Sequence, residues 1–142
     1  MTTIAFNDKE FAYDSRVTAD GIVLTDEDEK AVQIEGAYYI GVGIAYEIDK
    51  LISAHLGKED IPEDFSPECL VYKVVKGEGV YQIGVHDEGI YCHLTKYGNY
   101  SCGTGEHFAL AAMDLGKSPK EAVEYAKTRC IYTGGKVKVI KL

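Results

Sequence analysis

The hydrophobic positions fall first into short runs of strand character. Thr3-Ile4-Ala5-Phe6 and Phe11-Ala12-Tyr13 are separated by Asn7-Asp8-Lys9-Glu10, which carries turn chemistry, so the pattern predicts an opening β-hairpin. Ile22-Val23-Leu24 predicts a further β segment ahead of the acidic run Asp26-Glu27-Asp28-Glu29, which reads as a solvated turn. Ala31 to Ile34 and Ala37 to Ile40 predict two more strands that part near Gly36. From Ile44 the period changes. Ile44, Ile48, Leu51, Ile52, His55 and Leu56 share one face at helical spacing, and Gly57 is placed as the stop. Lys58 to Pro67, with two prolines and four acidic residues, predicts an irregular connection. Cys69 to Val75, Gly79 to Val85 and Gly89 to Thr95 then predict an antiparallel meander, punctuated by Gly77-Glu78-Gly79 and Asp87-Glu88-Gly89.

The last third turns helical. Phe108 to Leu115 contains strong helix formers and no β-branched residue, and Gly116 ends it. Ser118 as N-cap, Pro119 at the first helical position and Glu121 three residues after the serine spell a capping box. That helix runs to the basic residues Lys127 and Arg129, and Thr133-Gly134-Gly135 turns the chain into a last strand holding Val137 and Val139. Strands grouped with strands and helices with helices predict an α+β fold with antiparallel sheets. Two sheets packed face to face with helices outside would bury both the alternating strands and the apolar helix faces. One domain spanning residues 1–142 is expected.

Composition narrows the function classes. At 142 residues and 46% hydrophobic content the chain is long enough to bury a core. A formal charge of -8 argues against nucleic acid, whose binding depends on Lys and Arg neutralising phosphates. No stretch approaches the ~20 apolar residues of a membrane span, and no basic-then-apolar leader is seen, so a cytoplasmic protein is expected. Cys69, Cys92, Cys102 and Cys130 have neither CxxC nor zinc-finger spacing and read as reduced, ordinary thiols. The candidate chemistry sits at the start, Met1-Thr2-Thr3-Ile4. With Met1 removed, Thr2 carries a nucleophilic hydroxyl and a basic α-amine on one residue.

Asp14-Ser15-Arg16-Val17-Thr18, Lys30 at 16 residues beyond Asp14, Gly41-Val42-Gly43-Ile44-Ala45, Gly103-Thr104-Gly105 and Cys130-Ile131-Tyr132-Thr133 occur in that order. Together they resemble the proteasome β-subunit family, most closely its bacterial relative HslV. The resemblance implies the four-layer αββα sandwich of N-terminal-nucleophile hydrolases and a threonine-type peptidase. By the same resemblance Thr2 is the nucleophile, and Lys30 supplies an ammonium that eases alkoxide formation. Asp14 pairs with that ammonium, Gly43 donates its N–H to the oxyanion, and the Thr104 hydroxyl stands where a serine bonds the nucleophile's amine. Thr18 would hold the substrate main chain, Ala45 would lie near the specificity pocket, and carbonyls around Lys127, Cys130 and Thr133 would bind a monovalent cation such as sodium. No other cofactor is implied.

An ordinary α-amine, with a pKa of about 7.7–8.0, accepts a proton near neutrality, which a hydroxyl cannot do unaided. The implied partners are polypeptide substrates, further copies of the chain in a ring, and an ATP-driven unfoldase. The chain departs from the family around Lys58 to Pro67, where the family carries a second long helix that helps to assemble rings. Two other readings stand beside the peptidase: a non-catalytic structural or assembly protein of the same fold, which retained Met1 would favour, and an N-terminal-nucleophile amidohydrolase acting on a small amide.

Overall fold

Side-chain alternation in the opening hairpin dictates how the first part of the protein is layered. The computed structural model describes residues 1–142 and divides into two units, residues 1–30 with 96–142 and residues 31–95. In the first unit, β1 (Thr3–Phe6) and β2 (Glu10–Tyr13) form the expected hairpin, and β3 (Val17–Ala19) pairs with β4 (Ile22–Thr25) in a separate two-stranded ribbon. Asp20 and Gly21 turn that ribbon with φ of 50° and 76°, the left-handed pair that a two-residue hairpin loop demands.

In the second unit, β5 (Val32–Ile34) and β6 (Ala37–Val42) precede helix α1 (Ala45–His55). There β7 (Leu70–Val75), β8 (Gly79–His86) and β9 (Gly89–Leu94) complete a five-stranded antiparallel sheet ordered β5-β6-β7-β8-β9. Ala37, Tyr39, Val71 and Ile83 face α1 and pack with Leu51 and Ile52 of that helix. Leu51 is fully buried, a contribution of about 1.5–3 kcal/mol. Gly57 takes φ 73° just past α1, the left-handed stop expected of it. Lys58 to Pro67 is irregular, as its prolines require.

The chain then returns to the first unit with β10 (Tyr100–Gly103), α2 (Glu106–Asp114), α3 (Pro119–Lys127) and β11 (Lys138–Lys141). The sheet order is β10-β1-β2-β11, all antiparallel, so the N-terminal strand is central and hydrogen-bonded on both sides. Ala5 and Ala12 face α2 and α3 in a core with Ala109, Met113, Ala122, Val123 and Ala126. Small residues on both surfaces bring the helices close to the strands. Ile4, Phe6 and Phe11 point to the opposite face and are buried too, with the Phe6 and Phe11 rings stacked at 5.4 Å. The capping box of α3 forms as read: Ser118 accepts from Glu121 N, and Glu121 accepts from Ser118 N.

The α+β composition and antiparallel pairing agree with the sequence pattern. Two strands escaped it. β3 and β10 are short, and β10, Tyr-Ser-Cys-Gly, shows no alternation because both its Ser101 and its Cys102 are buried.

Glu10 ties the first sheet to α3. Its carboxylate accepts from Lys120 N at 3.0 Å and pairs with Lys141 at 2.6 Å. Burial works to raise its pKa, but Lys141, the Lys120 N–H and the Ser118 hydroxyl outweigh that and hold it below the ordinary value. Such a carboxylate stabilises the fold above about pH 4.5, and that contribution is lost as pH falls through its depressed folded pKa. Glu10→Gln is therefore expected to lower stability at pH 7 by about 1–2 kcal/mol, with the gap from the wild type closing as pH drops below that window. Urea unfolding at pH 7 and pH 3 measures both.

Candidate active site

The site is built where β1, the segment after β2 and the loop after α3 meet within the first unit. Asp14 is fully buried and accepts from three donors: Thr3 N and Lys30 Nζ reach Oδ1 at 3.0 and 2.8 Å, and Gly134 N reaches Oδ2 at 3.1 Å. Asp14 N in turn donates to the Thr3 carbonyl at 3.2 Å. Lys30 does not balance the acidic run at the surface. Its side chain is 6% exposed and its ammonium donates to Asp14 and, at 2.7 Å, to the Met1 carbonyl. That carbonyl belongs to the peptide group whose nitrogen is the Thr2 nitrogen, so the ammonium sits one peptide group from the candidate nucleophile.

Neighbouring contacts hold this geometry. Ser15 Oγ lies 2.9 and 2.7 Å from the Asp26 and Lys136 carbonyls, which share its one proton, Arg16 pairs with Asp26 at 2.7 Å, and Arg16 Nη1 donates to the Ile131 carbonyl. Asp26 thus belongs to a bridge between the Asp14 block and the loop after α3, while Glu29 accepts from the Tyr13 hydroxyl and from Lys138. The acidic turn faces solvent as read and is also pinned at two of its four carboxylates. On the other side, Thr104 N donates to the Thr2 carbonyl at 3.3 Å, and Gly103 takes φ 100°. A Cβ on Gly103 would collide with the Thr2 carbonyl.

Thr104, Thr3 and Thr133 bring their hydroxyls together. Thr3 Oγ1 lies 3.3 Å from Thr104 Oγ1 and 2.7 Å from Thr133 Oγ1 and accepts Gly105 N–H at 3.0 Å. Cys130 adds its thiol. Burial pushes that thiol's pKa up, but hydrogen bonds from Thr133, the Tyr132 N–H and Thr104 outweigh burial and hold it below its ordinary value. Cys69, by contrast, is pushed up to about 11 by burial, which keeps it a thiol at neutral pH and makes it a poor nucleophile.

Thr2, Asp14, Lys30, Thr104, Cys130 and Thr133 thus converge. Thr18 lies in β3, paired with Val23. Lys127 ends α3, and of the carbonyls read as cation ligands that of Cys130 accepts Thr133 N–H at 3.1 Å. Three neutral carbonyl oxygens are a donor set suited to a hard cation of low charge. Gly43 and Ala45 belong to the second unit. Gly43 has φ 126°, and a Cβ there would stand 2.9 Å from Cys69 Cα, so packing alone demands glycine at that position. Thr3 is the residue that sequence reasoning missed. The available signal was strand alternation, which puts it on the same face as Ala5.

The sequence matches no described family and no curated protein. Solved structures do match. The chain is similar in fold to Thiobacillus denitrificans BPH. That structure superposes with a TM-score of 0.65 at 15% identity, covering 99% of this chain and 96% of the other. The same protein in complex with epoxomicin gives 0.68 at 16% identity, covering 99% and 97%. Near-complete coverage of both chains means that, against BPH, little length is missing around Lys58 to Pro67. No helix is long and apolar enough to cross a membrane. All four cysteines are free, and no group of three or more His, Cys, Asp or Glu side chains is placed to hold a metal.

Removing Asp14 takes the counter-ion from a buried ammonium that keeps only the Met1 carbonyl, and it unpairs the Thr3 and Gly134 N–H groups, whereas removing Lys30 leaves a carboxylate that still accepts from two backbone N–H groups. Asp14→Ala is therefore expected to cost about 3–5 kcal/mol, and Lys30→Met at least ~1 kcal/mol less. Chemical denaturation of the two variants tests the order.

Proposed function

We propose that this chain is a threonine-type peptidase whose nucleophile is Thr2, released by removal of Met1. The single observation that carries the reading is the buried Lys30–Asp14 pair delivered to the Met1–Thr2 peptide group. Met1 is 61% exposed, open to an aminopeptidase. Its departure removes one acceptor of Lys30 and leaves the ammonium facing the new N-terminus.

In the proposed reaction the Thr2 α-amine takes the proton of the Thr2 hydroxyl as the oxygen attacks the substrate carbonyl. Lys30, compensated by Asp14, lowers the cost of the negative charge that builds on the attacking oxygen. The leaving amine takes up the proton, and water then hydrolyses the acyl ester on Thr2. Gly43 N–H is the proposed oxyanion donor, an interaction of order ~3 kcal/mol. Thr18 and Ala45 are the proposed substrate contacts, and sodium on the Lys127, Cys130 and Thr133 carbonyls would stiffen the loop that carries Thr133.

The fold that goes with this reading is the αββα sandwich of N-terminal-nucleophile hydrolases. It is supported by helices on one face of each sheet and buried side chains on the other, Ile4 and Phe11 in one, Tyr72 and Val74 in the other. The likeness to an epoxomicin-bound protein supports the same reading, since epoxomicin is a proteasome inhibitor. The substrates proposed are polypeptides, taken in a homo-oligomeric assembly that an unfoldase feeds, in the cytoplasm.

A second reading has its own support. With Met1 in place, Lys30 is satisfied by the Met1 carbonyl and the Thr2 nitrogen is an amide, which is no base. A chain that keeps Met1 is a non-catalytic protein of this fold.

Intact mass and hydrolysis of a fluorogenic peptide separate the two. The peptidase reading predicts a mass lacking Met1 and turnover that falls at least ~100-fold in Thr2→Ala and in Lys30→Ala. A mass retaining Met1 together with no turnover contradicts it.

A further inference from the structure

Two backbone N–H groups reach Asp14, and they are held very differently. Thr3 N lies in the central strand β1, whereas Gly134 N lies in the loop between α3 and β11. Arg16 grips that loop. Its guanidinium meets Asp26 fork to fork, Nε on Oδ1 at 2.7 Å and Nη2 on Oδ2 at 3.1 Å, and its third nitrogen, Nη1, donates to the Ile131 carbonyl at 2.9 Å. The same flat group rests on Gly134, where a Cβ would run into Arg16 Nε and Cζ. A Cβ on Gly135 would run into the Asp26 carbonyl. Two glycines thus receive the Arg16–Asp26 pair on bare backbone. Gly134 gives its carbonyl to Ser15 N at 3.1 Å and its N–H to Asp14 Oδ2 at 3.1 Å.

We propose that Arg16 is a positioning residue for the reaction: laid on Gly134 and bonded to Ile131, it keeps the Gly134 N–H on Asp14, so that Asp14 keeps its other oxygen on Lys30. The inference rests on the peptidase reading. Asp14 Oδ1 serves Lys30 Nζ at 2.8 Å, and the bond from Gly134 to Oδ2 fixes the rotation of the carboxylate that sets this line. A carboxylate that loses its Oδ2 partner is free to turn, and the ammonium beside Thr2 turns with it. Charge at position 16 does not suffice. The guanidinium satisfies Asp26 and Ile131 from one rigid plane, whereas a lysine ammonium is a compact point charge with no plane to lay on Gly134. The Arg16 side chain is 24% exposed, so its replacement leaves the buried core of the unit untouched.

The test combines peptide turnover by the Met1-free protein with hydrogen exchange of single amides followed by NMR. Arg16→Ala and Arg16→Lys are each expected to lower kcat ~10-fold to 100-fold with KM within about twofold, since the defect is one of alignment. In both variants the Gly134 amide exchanges at least ~10-fold faster. The amide of Ala122, fully buried in α3 and bonded to the Ser118 carbonyl, keeps its protection, which a general loosening of the fold would not allow. Asp26→Asn removes the charge that seats the guanidinium and shifts kcat and the Gly134 amide in the same direction; it decides the matter if Arg16→Ala does not fold. A Gly134 amide as protected as in the wild type, Gly134 and Ala122 amides that speed up together, or an Arg16→Lys protein with wild-type kcat overturns the role of Arg16 while leaving the peptidase intact. An inert wild-type protein free of Met1 overturns the peptidase reading and this inference with it.

Discussion

The rest of the structure depends on the buried carboxylate of Asp14. A charge in a fully enclosed position is tolerated only when its lone pairs are taken, and here Thr3 N, Lys30 Nζ and Gly134 N take them. Those three donors come from the first strand, from the end of the acidic segment and from the loop after α3, the last of them 120 residues from Asp14 in the chain. One anion therefore holds the N-terminus in register, turns Lys30 inward and fixes the loop that carries Thr133. Burying an ion pair is a poor way to gain stability, because hydrophobic replacements commonly do as well. The proposed peptidase gives the pair a use beyond stability, since it stands at the Met1–Thr2 peptide group.

The surrounding fold makes that placement rigid. β1 is paired on both sides, and Thr2 and Thr3 are held at its head by the Gly103 turn, whose φ of 100° only glycine adopts readily. Alanine-rich helix and strand surfaces bring α2 and α3 down onto the same strand, with Gly105 capping α2 beside the Thr3 hydroxyl. Thr2 directly precedes that central strand, whose backbone bonds on both sides resist displacement.

Much of this was legible in the sequence, and the reasons for the rest are physical. All three helices were legible, each by a different signal: α1 by the apolar face that Gly57 ends, α2 by a run of helix formers that Gly116 ends, and α3 by the Ser118 capping box. The Asp14 to Lys30 spacing disclosed the ion pair only through resemblance, because nothing in composition tells a buried lysine from one facing water beside Asp26 to Glu29. The hydroxyl run of Thr3, Thr104 and Thr133 joins residues 101 and 130 positions apart, and no local pattern marks such a contact. β10 was hidden by its burial on both faces, which erases the alternation that identifies a strand.

The central claim is that Thr2, once it is the N-terminal residue, is the reacting group. Incubation with epoxomicin followed by tandem mass spectrometry of the N-terminal peptide tests this most directly. The account predicts a covalent adduct on residue 2 of a chain that begins at Thr2. An unmodified N-terminal peptide from a chain that has lost Met1, or an adduct mapped to another residue, would contradict it.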